Sequence, residues 1–116
     1  MREGAGVLVV AGRDGGTSEV FGRRTLPQMS LASAACAIQN LWLAARAEGV
    51  GMGWVSMFEP EALAALLALP NDLGPIAVLC LGATDEFRDQ PQLQIDGWRA
   101  PRPLSDFVHE NRWSEP

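Results

Sequence analysis

The chain has no tyrosine, a single histidine (His109) and two cysteines, Cys36 and Cys80. Two of these scarcities close off a class of chemistry. The lone histidine lies far along the chain from Ser56, the hydroxyl of most interest, and no G-x-S-x-G turn surrounds that serine. A Ser–His nucleophilic arrangement is therefore not legible. The two cysteines sit in apolar runs with no CxxC or Cys/His spacing, so no metal site is expected, and both are read as reduced core side chains. Positive charge is also short: nine basic residues face fourteen acids, giving a formal net charge of −5 and a pI near 4.7. That balance, without a basic cluster, argues against a nucleic-acid partner. Long apolar runs are missing too. Leu31–Ala45 is too short to cross a bilayer and is interrupted by Ser33, Gln39 and Asn40. The start, Met1-Arg2-Glu3-Gly4, lacks the apolar stretch of a secretory leader. The expectation is a soluble, cytoplasmic protein that binds neither membrane nor nucleic acid. The missing tyrosine, beside four tryptophans, excludes nothing.

What is present fits one domain. The chain has 116 residues, 47% of them hydrophobic, enough for a modest core. Gly6–Gly12 is a β-branched apolar run that reads as a strand buried on both faces. Arg13–Gly16 is turn chemistry, and Ser18–Gly22 suggests a short returning strand. Ser30 is the expected N-cap of a helix running from Leu31 to Glu48, with Gly49 as its stop. That helix carries apolar residues on almost every face, and a helix of this kind must be covered all round. With only one other clear helix to cover it, the imbalance predicts a large dimer interface or a further piece of protein. The second helix opens at Glu59-Pro60-Glu61, runs through Leu69 and is ended by Pro70. After a loop at Asn71–Gly74, Pro75–Gly82 reads as a central buried strand. From Ala83 the chain becomes a proline-interrupted tail with Leu104–His109 as its one helical stretch, and its aromatics suggest that it wraps a surface.

The chemistry concentrates after the first helix. Gly49, Gly51 and Gly53 alternate into a short strand ending in Trp54-Val55-Ser56-Met57, and backbone free of Cβ atoms can approach a planar ligand closely. The glycines follow a helix and precede a strand, the reverse of a dinucleotide fingerprint, so that reading is rejected. In the tail, Arg99 and Arg102 are the nearest thing to a phosphate clamp, since the guanidinium fork suits phosphate. Arg23 and Arg24 are equally open to a surface role. Gln39 and Asn40, inside the apolar helix, demand hydrogen-bonding partners if buried.

Ser33–Gly49, followed by Gly51 and by Gly53-Trp54-Val55-Ser56, resembles the nitroreductase superfamily, and within it the BluB-type 5,6-dimethylbenzimidazole synthases. Gly22-Arg23, Pro27, Met29, Gly97-Trp98-Arg99, Pro103-Leu104 and Glu110-Asn111-Arg112-Trp113 agree with that branch. The resemblance runs from Gly6 to Trp113. It implies an α+β, nitroreductase-like, FMN-dependent sandwich assembled as an intertwined homodimer with FMN at the subunit interface. It implies that reduced FMN is consumed as a substrate with O2, giving 5,6-dimethylbenzimidazole, with NAD(P)H a candidate source of the reducing equivalents. Under the resemblance Ser56 is the catalytic hydroxyl beside the flavin, Gly53 and Trp54 shape the ring pocket, and Arg99 and Arg102 lie where superfamily members hold the FMN phosphate.

The resemblance also implies a long segment ahead of the position equivalent to Met1, carrying an arginine-rich phosphate motif, packing helices and an acid needed for flavin breakdown. None of these has a counterpart here, and Asp14 and Asp85 stand in the wrong context to replace the acid. The expectation is thus an incomplete domain: residues 1–116 as the C-terminal part of a nitroreductase-like unit, with a core over 6–82 and a wrapping tail over 83–116. Two alternatives stand beside the synthase reading. One is an NAD(P)H-dependent nitroreductase-like flavin oxidoreductase. The other is a non-catalytic dimerising remnant.

Overall fold

The computed structural model describes residues 6–13 and 28–113. The elements run β1 (Gly6–Arg13), α1 (Met29–Ala47), β2 (Val50–Val55), α2 (Pro60–Leu66), β3 (Leu73–Ala83) and a single helical turn α3 (Gln92–Ile95), followed by a 3-10 turn at Leu104–Asp106. The chain divides into two compact units, Met1–Asp85 and Glu86–Pro116. The strand expected at Ser18–Gly22 lies outside the described residues.

In the first unit the three strands form an antiparallel sheet in the order β1-β3-β2. The apolar run expected to be central is central. Pairing with β1 carries β3 past that run, because Gly74 and Leu73 still meet Gly12 and Arg13. The first strand differs from expectation. Among the described residues it is an edge strand paired on one side only, and Val7 and Leu8 are half exposed. A register shift between Val10 and Ala11 bends it near its end.

The core forms where α1 crosses one face of the sheet. Ile38 packs with Ala77 and Leu79, both 0% exposed, and Val10, Met52, Trp54, Ile76 and Leu81 close around them. Register places Met52 opposite Leu81 and Trp54 opposite Leu79, so these residues share the helix-covered face. Their neighbours Gly51, Gly53 and Val55, opposite Gly82, Cys80 and Val78, occupy the other face.

Helix α1 starts two residues earlier than expected. The Gln28 carbonyl accepts from Ala32 N at 2.9 Å, making Gln28 the N-cap and placing Ser30 inside the first turn. Its end is as expected: Gly49 takes φ +74° and its N–H reaches the Arg46 carbonyl at 3.2 Å. Burial around the helix is partial, in keeping with the shortage of covering elements in the chain. Only Ile38 and Ala45 are buried, while Leu31, Leu41 and Leu43 remain exposed within the chain. Gln39 and Asn40 are exposed as well, so neither amide needs an internal partner. Cys36 lies on the same exposed surface rather than in the core; Cys80 is half buried, and both thiols are free.

Helix α2 stops at Leu66, short of the proline expected to end it. Ala68 N–H bonds to Ala65 O at 3.1 Å and Leu69 N–H to Ala64 O at 2.9 Å, with Ala68 at φ +51°. These paired bonds are a Schellman stop. The carbonyls are satisfied before Pro70 is reached.

The second unit is built from local turns. α3 opens after Pro91, and Trp98 N–H returns to the Leu93 carbonyl at 2.8 Å. Along its surface Arg88 donates to Gln92, and Gln92 donates to Asp96, each pair four residues apart. The helix expected over Leu104–His109 is a three-residue 3-10 turn that ends at Asp106. No helix among the described residues is long and apolar enough to cross a membrane.

Candidate functional site

β2 sorts its residues by face. Trp54 packs against the Ile38–Ala77–Leu79 cluster, pinning the strand to the core. Gly53, on the opposite face, has nothing within 4 Å of the position a Cβ would take. Gly51 differs from its neighbour: a Cβ there would lie 3.3 Å from the Gly82 carbonyl oxygen and 3.4 Å from Thr84 Cβ. The two glycines therefore have separate causes. Gly51 admits the close approach of β3, whereas Gly53 leaves open, uncovered backbone. Ser56 follows directly after the strand, and its side chain is exposed, as is that of Met57. Gly53 and Trp54 thus share one strand but present opposite faces, with Trp54 turned to the core rather than to the open side, and Ser56 follows the strand's end.

Among the described residues each unit has a hollow of its own. In the first unit a space of about 420 Å³ lies at the end of the sheet, between Gly12 and Arg13 of β1, Ser30 and Ala34 of α1, and Pro75 of β3. Arg13, at its rim, is bound to Asp72 at 2.9 Å, an exposed pair. In the second unit a smaller hollow of about 220 Å³ is lined by Arg99, Ala100, Arg102 and Phe107. Both tail arginines named from the sequence therefore meet one concavity. They differ in engagement. Arg102 Nε donates to Asp106 Oδ2 at 3.1 Å, and its guanidinium carbon lies 4.6 Å from the Phe107 ring centroid. Among the described residues no hydrogen bond or ion pair engages the Arg99 guanidinium. Asp106 and Phe107 were not singled out from the sequence, although the four-residue spacing of Arg102 and Asp106 is a legible signal for an ion pair.

The family model described as Nitroreductase family matches residues 1–83, more than half of the chain. The chain belongs to the nitroreductase family. It is 42% identical over 83 residues to a 5,6-dimethylbenzimidazole synthase of Rhodospirillum rubrum, an alignment covering 72% of this chain and 39% of the relative. It is 40% identical over 97 residues to a 5,6-dimethylbenzimidazole synthase of Rhodobacter capsulatus, covering 84% of this chain and 47% of the relative. The chain thus spans less than half the length of these curated relatives. Among solved structures, a nitroreductase family protein from Clostridium difficile 630 superposes with a TM-score of 0.69 at 21% identity, over 92% of this chain and 59% of that one. The likeness is one of fold. It agrees with the α+β architecture, here present in part. Proteins of this family use flavin.

Proposed function

We propose that this chain supplies part of the site of a 5,6-dimethylbenzimidazole synthase, consuming reduced FMN and O2 to release the lower base of cobalamin. The observation that carries the reading is β2: open, Cβ-free backbone at Gly53 and, one residue past the strand's end, an exposed serine at Ser56. The identities of 42% and 40% to synthases support the same reading.

The residues present fit a planar, anionic group. Gly53 lets a ring lie against the strand backbone, and Trp54 fixes that strand from the core side, so the ring meets a rigid floor. A hydroxyl both donates and accepts, so Ser56 can hold a polar atom at the ring edge and pass a proton without changing its own charge. The second unit, taken by itself, offers in Arg99 a guanidinium fork of the kind that suits a phosphate. Reduced FMN supplies the electrons for O2 chemistry and the carbon skeleton of the product. The exposed leucines of α1 form the surface through which a second copy completes the site, in the manner of a homodimer.

The test is incubation of the protein with chemically reduced FMN in air, with chromatographic detection of 5,6-dimethylbenzimidazole. Ser56→Ala should keep its fold, since the side chain is exposed, and lose most product. Equal product from the variant removes Ser56 from the mechanism. Steady NAD(P)H oxidation with intact FMN and no benzimidazole would instead favour a nitroreductase-like oxidoreductase.

A further inference from the structure

Arg102 is held in a way that a ligand contact does not need. Its Nε faces Asp106, and the plane of the group lies near Phe107. Asp106 is the more buried partner, with its side chain 27% exposed against 56% for Arg102. The residues between them make a tight turn, closed by Asp106 N–H to Pro103 O at 3.1 Å and Phe107 N–H to Leu104 O at 3.0 Å. A carboxylate on a guanidinium cancels most of the field that an incoming anion would feel. Among the described residues Arg99 lines the same hollow without such a partner.

We infer that Arg102 is a positioning residue. With Asp106 and Phe107 it clips the tail turn into the wall of the hollow, and it leaves Arg99 as the guanidinium that meets an anionic group. The inference rests on the reading that the anion is a flavin phosphate, and it divides the labour between two arginines that the sequence treats alike.

The two roles differ in sign. If Arg102 bound the anion directly, Asp106 would compete with it, and Asp106→Asn would tighten anion binding. If Arg102 is a clip, Asp106→Asn weakens it, by about three- to tenfold, and Arg102→Gln and the double variant weaken it by the same factor, because one unit is being broken. Arg102→Lys separates the roles again. Lysine keeps the charge but not the planar fork, so it fails to rescue a clip and would rescue a point-charge contact.

The experiment is a titration of the full chain with inorganic phosphate at constant ionic strength, following the arginine Nε–Hε signals by NMR. The Arg99 signal is expected to move, and the Arg102 signal to stay where its bond to Asp106 holds it. Movement of Arg102, tighter phosphate binding by Asp106→Asn, or a stationary Arg99 signal overturns the inference. A parallel comparison of FMN with riboflavin reads the proposed function separately. Equal affinity for the two flavins counts against phosphate recognition of FMN, while the phosphate titration still judges the clip.

Discussion

Replacing Gly53 by alanine separates the needs of the fold from those of the ligand. Nothing lies within 4 Å of the Cβ that the substitution would add, and the Gly53 backbone is not in the left-handed region. The folded state therefore has room for the methyl group and accepts an L-residue without strain. Glycine inside a strand costs about 0.5–1 kcal/mol relative to alanine, chiefly through unfolded-state entropy. Gly53→Ala should then be equal to the parent in stability or better by up to about 1 kcal/mol, read from urea midpoints. Flavin should respond in the opposite direction. A ring resting on backbone sits at about 3.5–4.0 Å from the atoms beneath it, and a methyl carbon in that gap forces the ring away along its whole face. Loss of this contact is expected to weaken FMN binding by about tenfold or more, equivalent to about 1.4 kcal/mol. Quenching of FMN fluorescence measures the affinity. Gly51→Ala is the control: its added Cβ meets the Gly82 carbonyl oxygen at 3.3 Å, so it should destabilise the sheet itself. If Gly53→Ala binds FMN as the parent does, Gly53 is not the floor of a ring site.

Three further outcomes test the packing. Ala68→Gly should stabilise the chain by about 0.5–1 kcal/mol in urea denaturation, because Ala68 holds φ +51° at a Schellman stop where glycine carries no Cβ penalty; an unchanged midpoint argues that the α2 stop is not strained. Leu79→Ala, at the fully buried centre of β3, should cost about 2–5 kcal/mol, and a loss below about 1 kcal/mol would mean that α1 does not seal this face. Leu43→Glu places a charge on the exposed side of α1, where Leu43 is 59% exposed. Under the dimer reading it should weaken self-association by about thirtyfold or more in sedimentation equilibrium, near 2 kcal/mol, with secondary structure kept; association that does not change excludes this face from the interface.

What the sequence shows well is what backbone chemistry and apolar runs dictate. Pro75–Gly82 is central because an unbroken apolar strand must have partners on both sides, and Gly49 ends α1 because only a residue free of Cβ enters its backbone conformation cheaply. The misreadings come from tertiary competition. Gly6–Gly12 is as apolar as the central strand, yet among the described residues the sheet ends at β1 and leaves Val7 half exposed. Cys36 lies in an apolar run but on the side of α1 that the sheet does not reach. The stop of α2 follows from an alanine in a left-handed conformation, and propensity gives no sign of that. In the tail, Arg102 and Asp106 were readable as an i,i+4 pair, whereas the approach of Phe107 to the same guanidinium depends on a turn whose form the prolines do not specify.

The same physics accounts for the uneven burial of α1. A three-stranded sheet offers one face to a helix, so it can cover only a stripe, and here that stripe is Ile38 and Ala45. A helix with apolar residues around most of its circumference is stable in water only when something else covers the rest. The opposite sheet face, with Val7, Val55 and the open backbone at Gly53, is likewise apolar and only partly covered. Burying these surfaces is worth roughly 25 cal/mol for each Å² of apolar area removed from water. Association and flavin binding thus draw on the same reserve: a partner packed on α1 fixes the helix that braces Trp54, and Trp54 fixes the strand whose backbone the ring would meet. Flavin affinity should therefore fall when self-association is broken at Leu43, a position that carries no ligand contact in this scheme. Independence of the two, measured on Leu43→Glu, would mean that β2 is rigid enough by itself.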